Sequence, residues 1–487
     1  MALCGVGSGR QQLISVWQKV REKAGPTLED VLVSVTVPVP TVDPMDLFEH
    51  GLRRREKVTL WANPGSRYVL VGLGQTAEVT DVEQVVHGWR QWLSAGLRDG
   101  PDEPGLGPVL FGGFSFDQAR DHGPLWQDFP RVSFILPEFQ YTFRDGDEHG
   151  WLTFNRFVSP EAERASEMSW LDEGWNWWEV VREKAEFGSA VQDFSETSPL
   201  SGDWPTWLRQ KGLDVREDDA GTWMQSVRQG AQEIRDGQLK KVVLARRLFL
   251  TAGQDLPLAD VLRALRQRQG DNCYLFAIRR GMSCFLGATP ERLVEVERQE
   301  VRVACLAGSI ARGRTPTEDA QLGEQLLADA KNRAEHAVVL DMIREALTPH
   351  CDTLHIPSEP VLMKLRDIQH LYTPVSGRLK PGSQLLQLVQ ALHPTPAVGG
   401  YPKAAALARI RVLEQMDRGW YAGPVGWMDG QGNGEFAVAL RSALFRGRQA
   451  VLFAGCGIMG DSDPEAEWDE TRVKMTPMLT AIGSVIR

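Results

Sequence analysis

The sequence predicts an α+β fold built on mainly antiparallel sheets, and three observations carry that expectation. Short runs rich in Val, Leu, Ile and Phe come in consecutive pairs, separated by Gly, Pro and Asp clusters that read as turns. Stretches with apolar residues at helical spacing fall in blocks between those pairs. The polar, proline-bearing and poorly periodic segment Glu196–Asp218 reads as a connection, dividing the chain into an N-terminal portion, residues 1–215, and a second portion, residues 216–487.

Along the first portion, a helix is expected over Arg10–Lys23, then the strand VLVSVTVPVP and a helix over Pro44–His50. VTLWANP, YVLVGLG, VLFGGFSFD, RVSFILPEFQYTF and GWLTFNRFV read as strands, and the apolar spacing between Asp81 and Ala95 reads as a helix. Trp175, Trp177 and Trp178 read as helix-packing aromatics, because no basic residues interleave with them as on a base-stacking surface. His87, His122 and His149 are scattered and form no cluster.

In the second portion, Thr222–Asp236 is an amphipathic helix with Thr222 as its cap. The strands LKKVVLARRLFL, CYLFAIRR, MSCFLGATPERLVEVE and QEVRVACLAGSI follow, then a long helix from Asp319 to Leu347. Helices over Leu385–Leu392 and Lys403–Asp417 flank the loop HPTPAVGGYP. A hairpin, GPVGWMDGQGNGEFAVALRSALFR, turns at Gly-Asn-Gly. The strand VLFAGCGIM then leads through a turn into a closing helix.

Composition excludes several function classes. The 487 residues carry a formal charge of −10 and no long basic run, which argues against nucleic acid as a partner. The apolar stretches fall short of the roughly 20 residues that span a bilayer. The N-terminus MALCGVGSGRQQ lacks the basic region and apolar core of a signal peptide. Cys4, Cys273, Cys284, Cys305, Cys351 and Cys456 show no CxxC pairing and read as reduced, mostly buried thiols. A cytoplasmic protein with no membrane contact is expected.

Charges set into otherwise apolar segments mark the candidate chemistry, because charge there is costly unless used or paired. On the closing helix Glu467, Glu470 and Lys474 sit at i, i+3 and i+7, so two carboxylates and an ammonium share one stripe. Paired carboxylates suit a hard cation such as Mg2+, and equally suit a solvated helix face. Lys241, entering the strand VVLAR, can serve as a base if desolvated or can snorkel at a strand edge. Glu291, in the turn GATPERL, would have a raised pKa beside apolar neighbours and act as an acid, or pair with Arg292. Glu335 rides with His336 on a helix whose other face is apolar, as a second metal candidate or a solvated carboxylate. Arg441, within FAVALRSAL, asks for an anionic partner, either a ligand carboxylate or a buried glutamate; Tyr421 lies in the neighbouring RGWYAGPVG turn.

Taken in order, KVVLAR, GATPERL, CLAGS, AEHAVVLD, QHLYTPVSG, LHPTPAVGG, GNGEFAVALRSAL and AGCGIMGDSDPEAEWDETRVK resemble the motifs of the chorismate-utilising enzymes, the family of anthranilate synthase component I. The likeness is strong over residues 221–487 and looser before them, where SVTVPVP, YVLVGLG and FGGFSFD match. It implies two large antiparallel sheets flanked by helices, with the site between them. It implies Lys241 as the base that deprotonates water and Glu291 as the acid that protonates the departing ring hydroxyl. Glu335 and Glu467 would bind Mg2+, with Glu470 supporting through water, and the cation would hold the ring carboxylate of chorismate with Lys474 nearby. Arg441 and Tyr421, helped by the Gly455 backbone, would hold the enolpyruvyl carboxylate, His370 would lie near the substrate as a third catalytic residue, and Ala307 and Gly308 would contact the substrate. In aminodeoxychorismate synthases a lysine nucleophile occupies the position that is Ala307, before Gly308, in this chain. Cys305-Leu306 stands where ammonia-using anthranilate synthases usually show Pro-Ile. The resemblance is therefore greatest to the isochorismate synthases of menaquinone synthesis, with no glutamine amidotransferase subunit expected. Salicylate synthase and ammonia-dependent anthranilate synthase component I stand as alternatives. Asn332 departs from the pattern, being a carboxylate in some relatives.

Overall fold

The computed structural model describes residues 6–24, 30–54, 57–120, 122–158, 164–186, 204–364 and 368–486. Two mainly antiparallel sheets, of 13 and 10 strands, are packed face to face, and helices cover their outer sides. Strand alternation explains the double packing. In Val58–Ala62, Trp61 joins the core between the sheets while Leu60 and Ala62 face the outer helices; in Tyr274–Arg280, Phe276 and Ile278 face inward and Leu275 and Ala277 outward. Strands buried on both faces lose the apolar–polar alternation, which is why the sequence shows them as continuous apolar runs.

Both sheets draw strands from both sides of residue 215. In the larger, Val31–Val39, Val58–Ala62, Tyr68–Leu73, Phe139–Arg144 and Gly150–Val158 continue the ladder of Lys241–Thr251, Tyr274–Arg280, Ser283–Thr289, Ser442–Arg446 and Gln449–Ile458. In the smaller, Val109–Phe114 and Val132–Leu136 extend Pro424–Asp429, Gly434–Val438, Arg292–Glu297, Glu300–Ala311 and Ile368–Leu379.

Three runs expected as single strands or one hairpin each break and change sheets. RVSFILPEFQYTF divides at Pro137 into Val132–Leu136 and Phe139–Arg144; MSCFLGATPERLVEVE divides at Pro290 into Ser283–Thr289 and Arg292–Glu297. A proline cannot donate to the ladder, so the pairing ends there and the chain is free to cross. GNGEFAVALRSALFR divides without a proline, between Gly434–Val438 and Ser442–Arg446, and Arg441 therefore sits in a crossing and not inside a strand.

Other expectations are corrected locally. The helix Ala220–Arg235 is capped by Asp219, whose carboxylate accepts from the Thr222 N–H at 2.7 Å, so Thr222 lies inside the first turn. The long helix is two, Pro316–Ala328 and Ala330–Leu347, divided at Asp329, which caps the second. The last helix before the hairpin stops at Leu413. Glu196–Asp218 is more than a connection in its described part: it holds the helix Trp204–Gln210 and the strand Asp214–Glu217, which pairs with Lys241–Thr251. The helix Leu258–Gln269 and the strands Ala77–Val79, Leu97–Asp99, Cys351–His355 and Val361–Lys364 had no counterpart in the sequence reading. Trp175, Trp177 and Trp178 are buried on the helix Arg164–Glu186, packed against the larger sheet's outer face. Cys273, Cys284, Cys305, Cys351 and Cys456 are buried free thiols, and Cys4 lies outside the described residues. Among the described residues no helix is long and apolar enough to cross a membrane.

Candidate active site

The crossings at Glu291 and Arg441 lie side by side and are stitched together. The Val438 N–H donates to the Glu291 carbonyl at 2.9 Å, the Ala288 N–H to the Arg441 carbonyl at 3.2 Å, and the Thr289 hydroxyl to the Val438 carbonyl at 2.5 Å. Arg441 has φ 49°, in the left-handed region that a non-glycine residue enters only when its surroundings force it. Here the forcing is the change of sheet, which leaves charged side chains at the point where the ladders part.

A cavity of about 810 Å³ opens at these crossings. Of the twelve residues singled out from the sequence, eleven line it: Lys241, Glu291, Ala307, Gly308, Glu335, His370, Tyr421, Arg441, Gly455, Glu470 and Lys474. Glu467 is not among the lining residues.

They come from several elements, with Glu470 and Lys474 sharing the closing helix and Ala307 and Gly308 sharing the strand Glu300–Ala311. Lys241 begins the strand Lys241–Thr251, and its Nζ reaches Glu335 Oε1 at 3.1 Å, joining strand to helix across the cavity. Its neighbour Lys240 faces away, over the Tyr401 ring. Glu291 is packed into the wall, and loss of water raises its pKa above the ordinary carboxylate value. That effect outweighs the opposing pull of the Thr395 hydroxyl and of Lys241, Arg441 and Lys474, so the carboxyl holds its proton to higher pH than an ordinary glutamate does. Tyr421 is buried and stacked on Phe453, with centroids 5.2 Å apart, and burial pushes its phenol up to about 12. Lys474 donates to the Gly455 carbonyl at 2.9 Å and pairs with Glu470 at 2.6 Å. His370 Nδ1 lies 3.0 Å from Ser309 Oγ, and burial lowers the imidazole pKa.

Ala307 and Gly308 form an irregularity where Glu300–Ala311 pairs with Ile368–Leu379, the register shifting between Leu306 and Ser309. Gly308 has φ 80°, and a Cβ there would meet Asn332 at 3.1 Å, so the backbone passes close to the helix that carries Glu335. Thr395 and Arg418 are among the cavity groups that the sequence did not single out. Thr395, in HPTPAVGG, donates to Glu291 Oε1 at 3.5 Å. Arg418 forms a buried pair with Glu414 and donates to the carbonyls of Val398 and Val243, at 2.9 and 2.8 Å. Only its proximity to Tyr421 in sequence could have drawn attention to it.

Among the described residues no three His, Cys, Asp or Glu side chains converge on a metal position. A Mg2+ ion ordinarily takes only one or two carboxylates and fills its remaining positions with water and substrate oxygens. Glu467 fits that demand. Its Oε1 accepts from the Ser462 hydroxyl at 2.7 Å, while its Oε2 is buried with no hydrogen-bond partner. A buried carboxylate oxygen left unpaired is costly, and a cation satisfies it.

A family model for chorismate binding enzymes matches residues 18–483. The chain is 37% identical over 466 residues to isochorismate synthase MenF of Bacillus subtilis, covering 93% of this chain and 94% of that protein. It is also 37% identical over 462 residues to the salicylate biosynthesis isochorismate synthase of Pseudomonas aeruginosa, covering 93% and 91%. Among solved structures, the menaquinone-specific isochorismate synthase MenF of Escherichia coli superposes with a TM-score of 0.71 at 26% identity, over 97% of this chain and all of that one. With its two antiparallel sheets and its charged cavity at their crossings, the chain belongs to the chorismate binding enzyme family.

Proposed function

We propose that the chain is a Mg2+-dependent isochorismate synthase, an isomerase that converts chorismate to isochorismate and supplies menaquinone synthesis. The observation that carries the chemistry is the placing of Glu291, a carboxyl group whose pKa is raised by loss of water, on a wall shared with Lys241 and Arg441. Full-length similarity to MenF proteins supports the assignment within the family.

Lys241 takes a proton from the water that adds at ring carbon 2, and Glu291 gives its proton to the hydroxyl that leaves carbon 4. One water enters, one leaves, and composition is unchanged. Arg441 and Tyr421, with the Gly455 backbone, hold the enolpyruvyl carboxylate; Lys474 stands beside the ring carboxylate. His370, Ala307 and Gly308 shape the wall around the ring. Glu335 and Glu467 would hold Mg2+, with Glu470 behind them. When bound, the cation supplies positive charge for the ring carboxylate. A dianionic substrate is thus matched by cations that the acidic chain concentrates in one place.

The test is to incubate the purified protein with chorismate and Mg2+, without ammonia or glutamine, and resolve the products by chromatography. Isochorismate in equilibrium with chorismate, without pyruvate, is the expected result. Salicylate with matching pyruvate would make the chain a salicylate synthase. Turnover only after ammonia is added would make it an anthranilate synthase component I.

A further inference from the structure

His336 follows Glu335 on the helix Ala330–Leu347 but points the other way, into the core. Both ring nitrogens are engaged. Nδ1 lies 3.1 Å from the Ala307 carbonyl and Nε2 lies 2.8 Å from the Thr373 hydroxyl. A carbonyl can only accept, so Nδ1 carries the proton; in the neutral ring Nε2 then accepts from the Thr373 O–H. The Cys305 thiol, 3.9 Å from Nδ1, has the His336 carbonyl as its alternative acceptor at 3.8 Å.

These contacts connect three pieces of the cavity wall. Thr373 belongs to Ile368–Leu379 and faces Cys305 across the ladder, two residues before the irregularity at Ala307 and Gly308. Without the His336 N–H, the Ala307 carbonyl would lose the bond that ties the irregularity to the Glu335 helix. A Cβ on Gly308 would come within 3.1 Å of Asn332 on the same helix, so the backbone passes close to that helix, a proximity that limits the gap but fixes no direction.

We infer that His336 is a positioning residue for the reaction: its Nδ1–H, oriented by the Thr373 hydroxyl, clamps the Ala307 carbonyl and so sets the Ala307–Gly308 wall relative to Glu335. The role in turnover rests on the isochorismate synthase reading; the protonation pattern of the ring does not, and the two are measured separately.

The full-length protein labelled with 15N-histidine gives the first measurement, with no substrate present. Nitrogen correlation spectra, in which His336→Asn identifies the His336 signals, should show a protonated Nδ1 and a bare Nε2. A bare Nδ1 with a protonated Nε2 overturns the proposal even if the enzyme is active. Kinetics give the second measurement. His336→Leu fills similar space without a donor and should lower kcat/KM about tenfold, the order of one lost hydrogen bond. His336→Asn restores a donor near Nδ1 and should recover most of that loss, although both variants lack the Thr373 contact and should melt at similar temperatures. Equal kinetic losses in the two variants, or a fall in melting temperature with unchanged kinetics, would reduce His336 to a packing residue. If no variant and no native protein turns chorismate over, the function reading fails and the spectra still decide the clamp.

Discussion

Replacing Glu291 by glutamine preserves shape and the contact with Thr395 while removing the proton that the carboxyl donates. A positioned general acid contributes about 10²- to 10⁴-fold, so kcat should fall by that factor, or about 3–5 kcal/mol of barrier. The same substitution has a stability consequence whose sign is opposite to that of most cavity mutations. Burial raises the folded-state pKa of Glu291 above its unfolded value, so the folded state holds the proton to higher pH. Between those two values the folded chain binds more protons than the unfolded one, and stability falls as pH rises. The stabilising contribution of the protonated form is thus complete below the unfolded pKa and lost as pH passes through the folded one. Glutamine has no such loss. The stability of Glu291→Gln relative to the native protein should therefore climb with pH across that window and level off above it. Denaturant unfolding from pH 4.5 to 8, alongside steady-state kinetics at pH 7, measures both effects. Near-native turnover in the variant would refute the acid role. A variant that loses ground to the native protein as pH rises would refute the protonated carboxyl.

Two further substitutions test the neighbours. Gly457→Ala places a Cβ 2.7 Å from Lys241 Cε and 3.3 Å from its Nζ. The obstacle is the far end of a flexible side chain, so melting temperature should barely change. The displaced ammonium should cost about a hundredfold in kcat, the scale of a misplacement of about 1 Å; unchanged kcat would remove Lys241 from the chemistry. Glu467→Ala should abolish activity and with it the stabilisation conferred by Mg2+. In the native protein that stabilisation is about 2.7 kcal/mol at a hundred times the dissociation constant. A variant that still gains stability from Mg2+ would take Glu467 off the ligand set.

How much of this was legible in the sequence depended on whether the signal was local. The strands read well because β-branched and aromatic runs ending in Gly and Pro carry their own boundaries; Leu385–Leu392 also read well as a helix, whereas the helix expected over Pro44–His50 runs on to Arg54. What failed was partnership. Nothing in RVSFILPEFQYTF says that its halves pair with different sheets, and nothing in Leu258–Gln269 outweighs the strands on either side, although Leu258, Val261, Leu262 and Leu265 have helical spacing. The N-cap went to Asp219 and not Thr222 because the carboxylate three residues earlier accepts from the Thr222 N–H itself, which places Thr222 inside the first turn.

The site residues were visible as types but not as an arrangement, and the reason lies in the crossings. A charged side chain within an apolar run looks like an error of patterning when the run is taken as one strand. At Glu291 and Arg441 the run is two strands of two sheets, and the residue between them belongs to neither ladder. Its backbone is held by the neighbouring crossing, as in the Val438 N–H to Glu291 carbonyl bond, and its side chain is free to face the space that opens where the sheets diverge. The same divergence removes water from Glu291 without supplying a full ion-pair partner, which is what raises its pKa. Fold and chemistry are therefore coupled at one place. A substitution that let Pro290 continue the ladder would be expected to lose the acid as well as the turn, because the carboxyl would then point to one face of a sheet instead of into the gap between two.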